Sequence, residues 1–125
     1  MKTEKRIPWT TQEILDATAG DLLCGNRGHS FAGVSIDSRK ISPGDFFLAI
    51  IGKSHDGHGF TSSVVDQGIR GLVINQNRVK QLPVADWKAN DVDCIAVNDT
   101  TRALGDLAAF NRQRANASVA AITGS

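Results

Sequence analysis

A chain of 125 residues is the size of one domain, long enough to remove about two-thirds of its unfolded surface from water. With 41% hydrophobic and 22% charged residues and a formal net charge of +1, it lacks both a disordered composition and the basic field that nucleic acid or an anionic membrane selects. No apolar run approaches the roughly 20 residues of a membrane span, and none follows the charged start as a signal peptide requires, which predicts a cytoplasmic protein without membrane insertion.

Residues 1–8 read as a solvated tail. Thr10 and Glu13 then stand at capping-box spacing, with Trp9 and Ile14 placed for a hydrophobic staple, so a helix over 12–18 is expected, stopped by Gly20. A brief strand at 22–24 follows. Gly33-Val34-Ser35-Ile36-Asp37 alternates apolar and polar residues as a half-buried strand does. Ser42-Pro43-Gly44-Asp45 is a turn, and the nearly unbroken apolar run 46–51 predicts a strand covered on both faces. A loop over 52–59, a helix over 61–67 ending at Gly68 and a buried strand at 72–74 come next. Residues 75–93 are polar and irregular, interrupted by Pro83, with a short turn near Val79; 94–97 is again a strand.

Asn98 or Asp99 can cap a second long helix that carries Ala103, Leu104, Leu107 and Ala108 on one face. Arg112 and Arg114 fall near its expected end, where positive charge suits the helix dipole. A buried strand at 119–122 precedes Thr123-Gly124-Ser125, so the chain reads as truncated at the start of a further domain. Strands alternating with helices predict an α/β fold, a small mixed sheet with flanking helices.

Cys24 and Cys94 lie far apart beside apolar residues and read as small buried hydrophobes. Three segments could carry chemistry. Asp37-Ser38-Arg39-Lys40, at the end of the alternating strand, offers a hydroxyl, a planar guanidinium and an ammonium to an anion, or is simply a polar turn. Gly52-Lys53-Ser54-His55-Asp56-Gly57-His58-Gly59-Phe60 has glycines that allow close backbone approach, donors in Lys53, His55 and His58, and Phe60 as a core anchor. It can equally be a structural loop, or a weak metal site built from two histidines and an aspartate. Both loops follow strands and can face one crevice. Thr123-Gly124-Ser125 begins as a phosphate-binding loop does, without its Gly-Lys-Ser/Thr. No nucleophile can be matched to a base, so the chain by itself is expected to be inert.

In order and spacing, several segments resemble the N-terminal domain of the Mur ligase family. They are Trp9-Thr10-Thr11-Gln12-Glu13-Ile14, the stretch from Phe31 through Asp37-Ser38-Arg39-Lys40 to Ala49, Gly52 with Asp56-Gly57-His58-Gly59-Phe60, and residues 99–109 leading to Thr123-Gly124-Ser125. The resemblance is to members that join D-alanyl-D-alanine to UDP-N-acetylmuramoyl-tripeptide in peptidoglycan synthesis. A sibling that adds the third peptide residue shares Asp-Ser-Arg and Asp-Gly-His, but reaches its P-loop through Phe-Tyr-x-x-Pro-Ser, where this chain has Phe110-Asn111-Arg112-Gln113-Arg114.

The resemblance implies an ATP-dependent amide ligase using Mg²⁺, with UDP-N-acetylmuramoyl-tripeptide and D-alanyl-D-alanine as substrates. It also implies a division into a UDP-binding domain over 9–115 and, over 116–125, the first strand and P-loop start of a central ATPase domain. Carried onto this sequence, the uridine-diphosphate contacts are Ser38, Arg39, Lys53, His55, Asp56, Gly57 and His58; Thr123, Gly124 and Ser125 begin the ATP loop. Asp37, Pro43 and Gly44 shape the turn. A free-standing nucleotide- or anion-binding module is the non-enzymatic alternative.

Overall fold

The computed structural model describes residues 7–123, with side chains as far as residue 116. Two short strands, β1 (Trp9–Thr10) and β3 (Ser30–Phe31), form an antiparallel ribbon that sets Trp9 opposite Phe31. The main sheet has β2 (Asp21–Cys24), β4 (Gly33–Ser35), β5 (Asp45–Leu48), β6 (Gly71–Asn75) and β7 (Asp93–Val97) in the order β2-β7-β6-β5-β4. The last four run parallel and β2 lies antiparallel on the edge, the mixed sheet expected.

Helices α1 (Thr11–Thr18) and α4 (Thr100–Thr123) cover one face; α2 (Thr61–Asp66) and α3 (Val84–Ala89) cover the other. Period-two alternation along β5 feeds both layers. Phe46 and Leu48 pack with Ile14, Leu15, Ala103 and Leu107, whereas Phe47 and Ala49 pack with Val64 and Trp87. Each large side chain buried this way contributes about 1.5–3 kcal/mol relative to exposure.

The first helix forms as its cap predicts. The Thr10 hydroxyl accepts the Glu13 N–H at 3.1 Å, and the Glu13 carboxylate accepts the Thr10 N–H at 2.9 Å. Its end differs from expectation: Ala19, not Gly20, takes the left-handed conformation, with φ 56°. Gly20 serves close approach instead, since a Cβ there would lie 2.6 Å from Ile95 Cγ2.

Three further expectations change. Residues 75–93 are more regular than their polarity suggested, with β6 taking Asn75, a 3-10 turn over Gln76–Gln81 and α3 following Pro83. Trp87 is the reason, because burying it to 2% exposure docks one turn of helix on the sheet. The expected strand at 119–122 is helical, α4 running to Thr123. A strand needs a partner for its backbone, whereas an alanine-rich segment meets its hydrogen bonds locally as helix. Arg112 and Arg114 consequently sit inside α4 and not at its end. Arg114 lies 4.1 Å above the Trp9 ring and donates to the Pro8 carbonyl at 2.8 Å, latching α4 to the start of the fold. Both cysteines are free and buried, as expected.

One buried carboxylate stitches the β2–β3 connection to the sheet. Asp93, fully buried, accepts the Thr11 hydroxyl at 2.6 Å, the Asn26 N–H at 3.0 Å and the His29 Nδ1 at 2.9 Å. The hydrogen bond to Asp93 raises the His29 pKa above its ordinary value of 6.5, outweighing the opposing effect of burial. A raised native value means that the pair's contribution is complete below 6.5 and fades as pH climbs through the native pKa. His29→Gln should therefore lower the urea midpoint more near pH 5.5 than near pH 8.5. An equal loss at both values would show that the pair's charge adds nothing.

Candidate nucleotide-handle cleft

Because β4, β5, β6 and β7 are parallel, their carboxyl ends share one edge, the place where α/β sheets gather ligand-binding loops. The loops leaving the neighbouring strands β4 and β5 enclose a cleft of about 540 Å³. Ile36, Asp37, Ser38 and Arg39 line one wall. Ile50, Gly52, His55, Gly57 and Phe60 line the other.

The first loop is a self-bonded turn. The Asp37 carboxylate accepts the Arg39 N–H at 2.9 Å and its carbonyl accepts the Lys40 N–H at 3.2 Å, so Asp37 is committed to shaping the loop. Asp45 closes the turn, its carboxylate accepting the Ser42 N–H at 3.2 Å. The side chains of Ser38 and Arg39 have no hydrogen-bond or ionic partner among the described residues, which leaves a hydroxyl and a guanidinium available at the wall.

The second loop folds back on the strand it leaves. Gly57 donates to the Ile50 carbonyl at 2.8 Å and Gly52 to the His55 carbonyl at 2.7 Å. A Cβ on Gly57 would sit 2.8 Å from Ile50 N and 2.9 Å from Ala49 Cα, so this return admits only glycine. The 3-10 turn Gly57–Phe60 follows, capped by Asp56, whose carboxylate accepts the His58 N–H at 3.0 Å.

Behind this wall lies a chain of polar contacts. His58 is buried; its Nδ1 lies 2.7 Å from the Asp56 carboxylate and its Nε2 accepts the Asn75 N–H at 2.9 Å. The acceptor role of Nε2 places the ring proton on Nδ1. Arg78 Nη1 reaches the other Asp56 oxygen at 2.7 Å, and Asn75 Oδ1 accepts the Thr100 N–H at 2.8 Å. Burial pushes the Asp56 pKa up, but the His58 backbone N–H, the His58 ring and Arg78 together hold it below the ordinary carboxylate value.

Of the expected contact residues, Ser38, Arg39, His55 and Gly57 meet around the cleft. Lys53 is exposed beyond its lining, while Asp56 and His58 stand behind it. Both His58 ring nitrogens are engaged internally, so its ring offers no unpartnered nitrogen to the cleft. Phe60 reverses likewise: expected as the anchor, it is 41% exposed at the cleft, and His58 is the anchor. Ile36, Ile50, Asn75 and Arg78 were not foreseen. The Asp-x-His spacing of Asp56 and His58 was the legible signal, since an aspartate commonly accepts the N–H two residues on.

Among the described residues no three His, Cys, Asp or Glu side chains gather as a metal site requires. Of the expected ATP-loop residues, Thr123 is the last residue of α4, and Gly124 and Ser125 lie outside the described residues. No helix among the described residues is long and apolar enough to cross a membrane.

A doubly covered, mostly parallel sheet with a loop-built polar cleft at its carboxyl edge defines an α/β domain of the doubly layered kind. The chain belongs to the Mur ligase family, whose catalytic-domain model matches residues 30–112. It is 36% identical over 117 residues to the UDP-N-acetylmuramoyl-tripeptide–D-alanyl-D-alanine ligase of Buchnera aphidicola subsp. Baizongia pistaciae, covering 90% of this chain and 24% of that protein. The UDP-N-acetylmuramoyl-L-alanyl-D-glutamate–2,6-diaminopimelate ligase of Phocaeicola vulgatus matches at 30% over 97 residues, 78% of this chain and 19% of that one. In structure, the chain superimposes on the UDP-N-acetylmuramoylalanyl-D-glutamyl-2,6-diaminopimelate–D-alanyl-D-alanyl ligase of Acinetobacter baumannii. The TM-score is 0.71 at 29% identity, over 90% of this chain and 23% of that one. The chain thus spans about a quarter or less of the length of the proteins it matches.

The return at Gly57 is open to a direct check. Gly57→Ala should cost about 1–3 kcal/mol in urea unfolding, the range for forcing a methyl into packed surroundings. Gly59→Ala, where a Cβ meets nothing within 4 Å, should be close to neutral. Equal midpoints for the two variants would refute the tight return.

Proposed function

We propose that this chain is the N-terminal, UDP-anchoring domain of an ATP-dependent ligase that joins D-alanyl-D-alanine to UDP-N-acetylmuramoyl-tripeptide in the cytoplasm. The observation that carries the reading is the cleft itself: two Mur-type loops bring Ser38, Arg39, His55 and Gly57 around one opening. A guanidinium fork and a hydroxyl suit the two phosphates of a nucleoside diphosphate. Ile36, 50% exposed, and Phe60 provide apolar surface for a base. Lys53 borders the same loop as an additional cation, and Asp56 and His58 hold that loop in place.

On this reading residues 9–115 form the handle-binding domain, and residues from 116 onward lead into the domain that handles ATP and Mg²⁺. The uridine diphosphate does not react. Holding it lowers the orientational cost of bringing the distant peptide carboxylate to the site of bond formation. The sibling ligase that adds a diamino acid is the second reading, because it shares both loops and matches this chain at lower identity.

Titration of the chain with UDP should shift the amide signals of Ser38, Arg39, His55 and Gly57, and Arg39→Ala should weaken binding about tenfold, the value of one charge-assisted hydrogen bond. In the full-length ligase the same variant should raise KM for the UDP-linked tripeptide. UDP-induced shifts confined to the cleft lined by Trp9, Val34 and Leu107 would defeat the assignment. Turnover of the full-length enzyme with a free diamino acid, and none with D-alanyl-D-alanine, would select the sibling.

A further inference from the structure

His58 is buried at the carboxyl edge of the sheet, where it bonds two elements directly, the 3-10 turn of the cleft wall and β6, and reaches a third, α4, through Asn75. Through Nδ1 it holds Asp56, the residue that caps the 3-10 turn of the cleft wall. Through Nε2 it holds the backbone of Asn75, the last residue of β6. The Asn75 side chain continues the line, its Oδ1 accepting the N–H of Thr100, the first residue of α4. Arg78 steadies the outer end through Asp56.

We propose that Asp56, His58 and Asn75 form a positioning relay that fixes the second wall of the cleft and ties it to the first turn of α4. The geometry calls for a rigid side chain with a donor at one end and an acceptor at the other, which a single imidazole tautomer supplies. The wall residues Gly57 and His55 flank the relay directly, so their placement depends on it. The relay's geometry is independent of the nucleotide reading; only the purpose of the wall rests on that reading.

The two halves of the ring can be tested apart. His58→Gln offers a carbonyl oxygen near the place of Nε2 and gives up the donor to Asp56. His58→Asn offers an amide donor near the place of Nδ1 and gives up the acceptor for Asn75. Amide hydrogen exchange in the 125-residue chain, at a temperature where each variant is folded, should separate them. His58→Gln should speed exchange at Gly52 and Gly57 and spare Asn75 and Thr100; His58→Asn should do the reverse. Each should also raise the UDP Kd about tenfold, as expected when a supporting hydrogen bond behind a contact is lost.

Uniformly faster exchange at all four amides, tracking global stability with an unchanged UDP Kd, would reduce His58 to an ordinary core residue and overturn the proposal. Long-range proton–nitrogen correlation in the wild type gives a check that needs no variant: the ring proton must sit on Nδ1, and finding it on Nε2 would equally overturn it. If the wild type binds no UDP, the nucleotide reading fails, and the exchange pattern and tautomer decide the relay by themselves.

Discussion

Phe46, Phe47, Leu48 and Ala49 are each at most 1% exposed, two against either helical layer, and β6 and β7 are buried along their whole lengths. Strands closed on both faces offer solvent nothing but their ends. Since these three and the edge strand β4 run parallel, those ends coincide, and the loops leaving β4 and β5 must run side by side. The position of the cleft is therefore a consequence of how the sheet is covered, before any residue in the loops is considered.

What the loops contain follows from a second constraint, that backbone groups buried at the sheet edge must find partners. The Asn75 N–H would otherwise be stranded there. An orphaned donor costs about 1–3 kcal/mol, whereas a satisfied bond contributes only about 0.5–1.5 kcal/mol net, so avoiding the orphan is the stronger demand. His58 meets that demand, and Asp56 in turn meets the demand of the His58 Nδ1–H. Two residues that look like ligand donors are thereby committed to the fold. Within the lining, the side chains of Arg39, Ser38 and His55 have no hydrogen-bond partner among the described residues, which is what makes them available.

The same distinction decides what could be read in the sequence. The capping box of Thr10 and Glu13 and the double-sided run at 46–49 were legible because their causes are local, a spacing and a period. So were the two loops as candidates, since polar residues at strand ends gather on one edge. His58 and Phe60 exchanged roles because hydrophobicity alone predicts the aromatic inside; only the distant Asn75 backbone makes the imidazole the better buried group. Helix α3 was hidden because a single buried Trp87 organises a stretch that is otherwise polar. The Gly20 reading failed for a kindred reason: a left-handed residue was legible as a need, but the neighbouring Ile95 that claims the glycine is 75 residues away in sequence.

An open cleft with one guanidinium sets its own limit on affinity. A single charge-assisted hydrogen bond contributes about 1.5 kcal/mol, so Arg39 by itself would hold an anion only weakly. Apolar cover from Ile36 and Phe60 adds to this; about 100 Å² removed from water is worth about 2.5 kcal/mol. On the proposed reading, the sum favours a ligand with charge at one end and a flat stacking face at the other over free phosphate, as a nucleoside diphosphate has. Modest affinity is also consistent with a handle. Binding energy placed far from the reacting atoms serves by fixing position, and a handle held much more tightly would slow release of the product that still carries it. A cleft whose rigidity comes from buried hydrogen bonds behind its wall, and whose grip comes from few exposed groups in front, satisfies both requirements together.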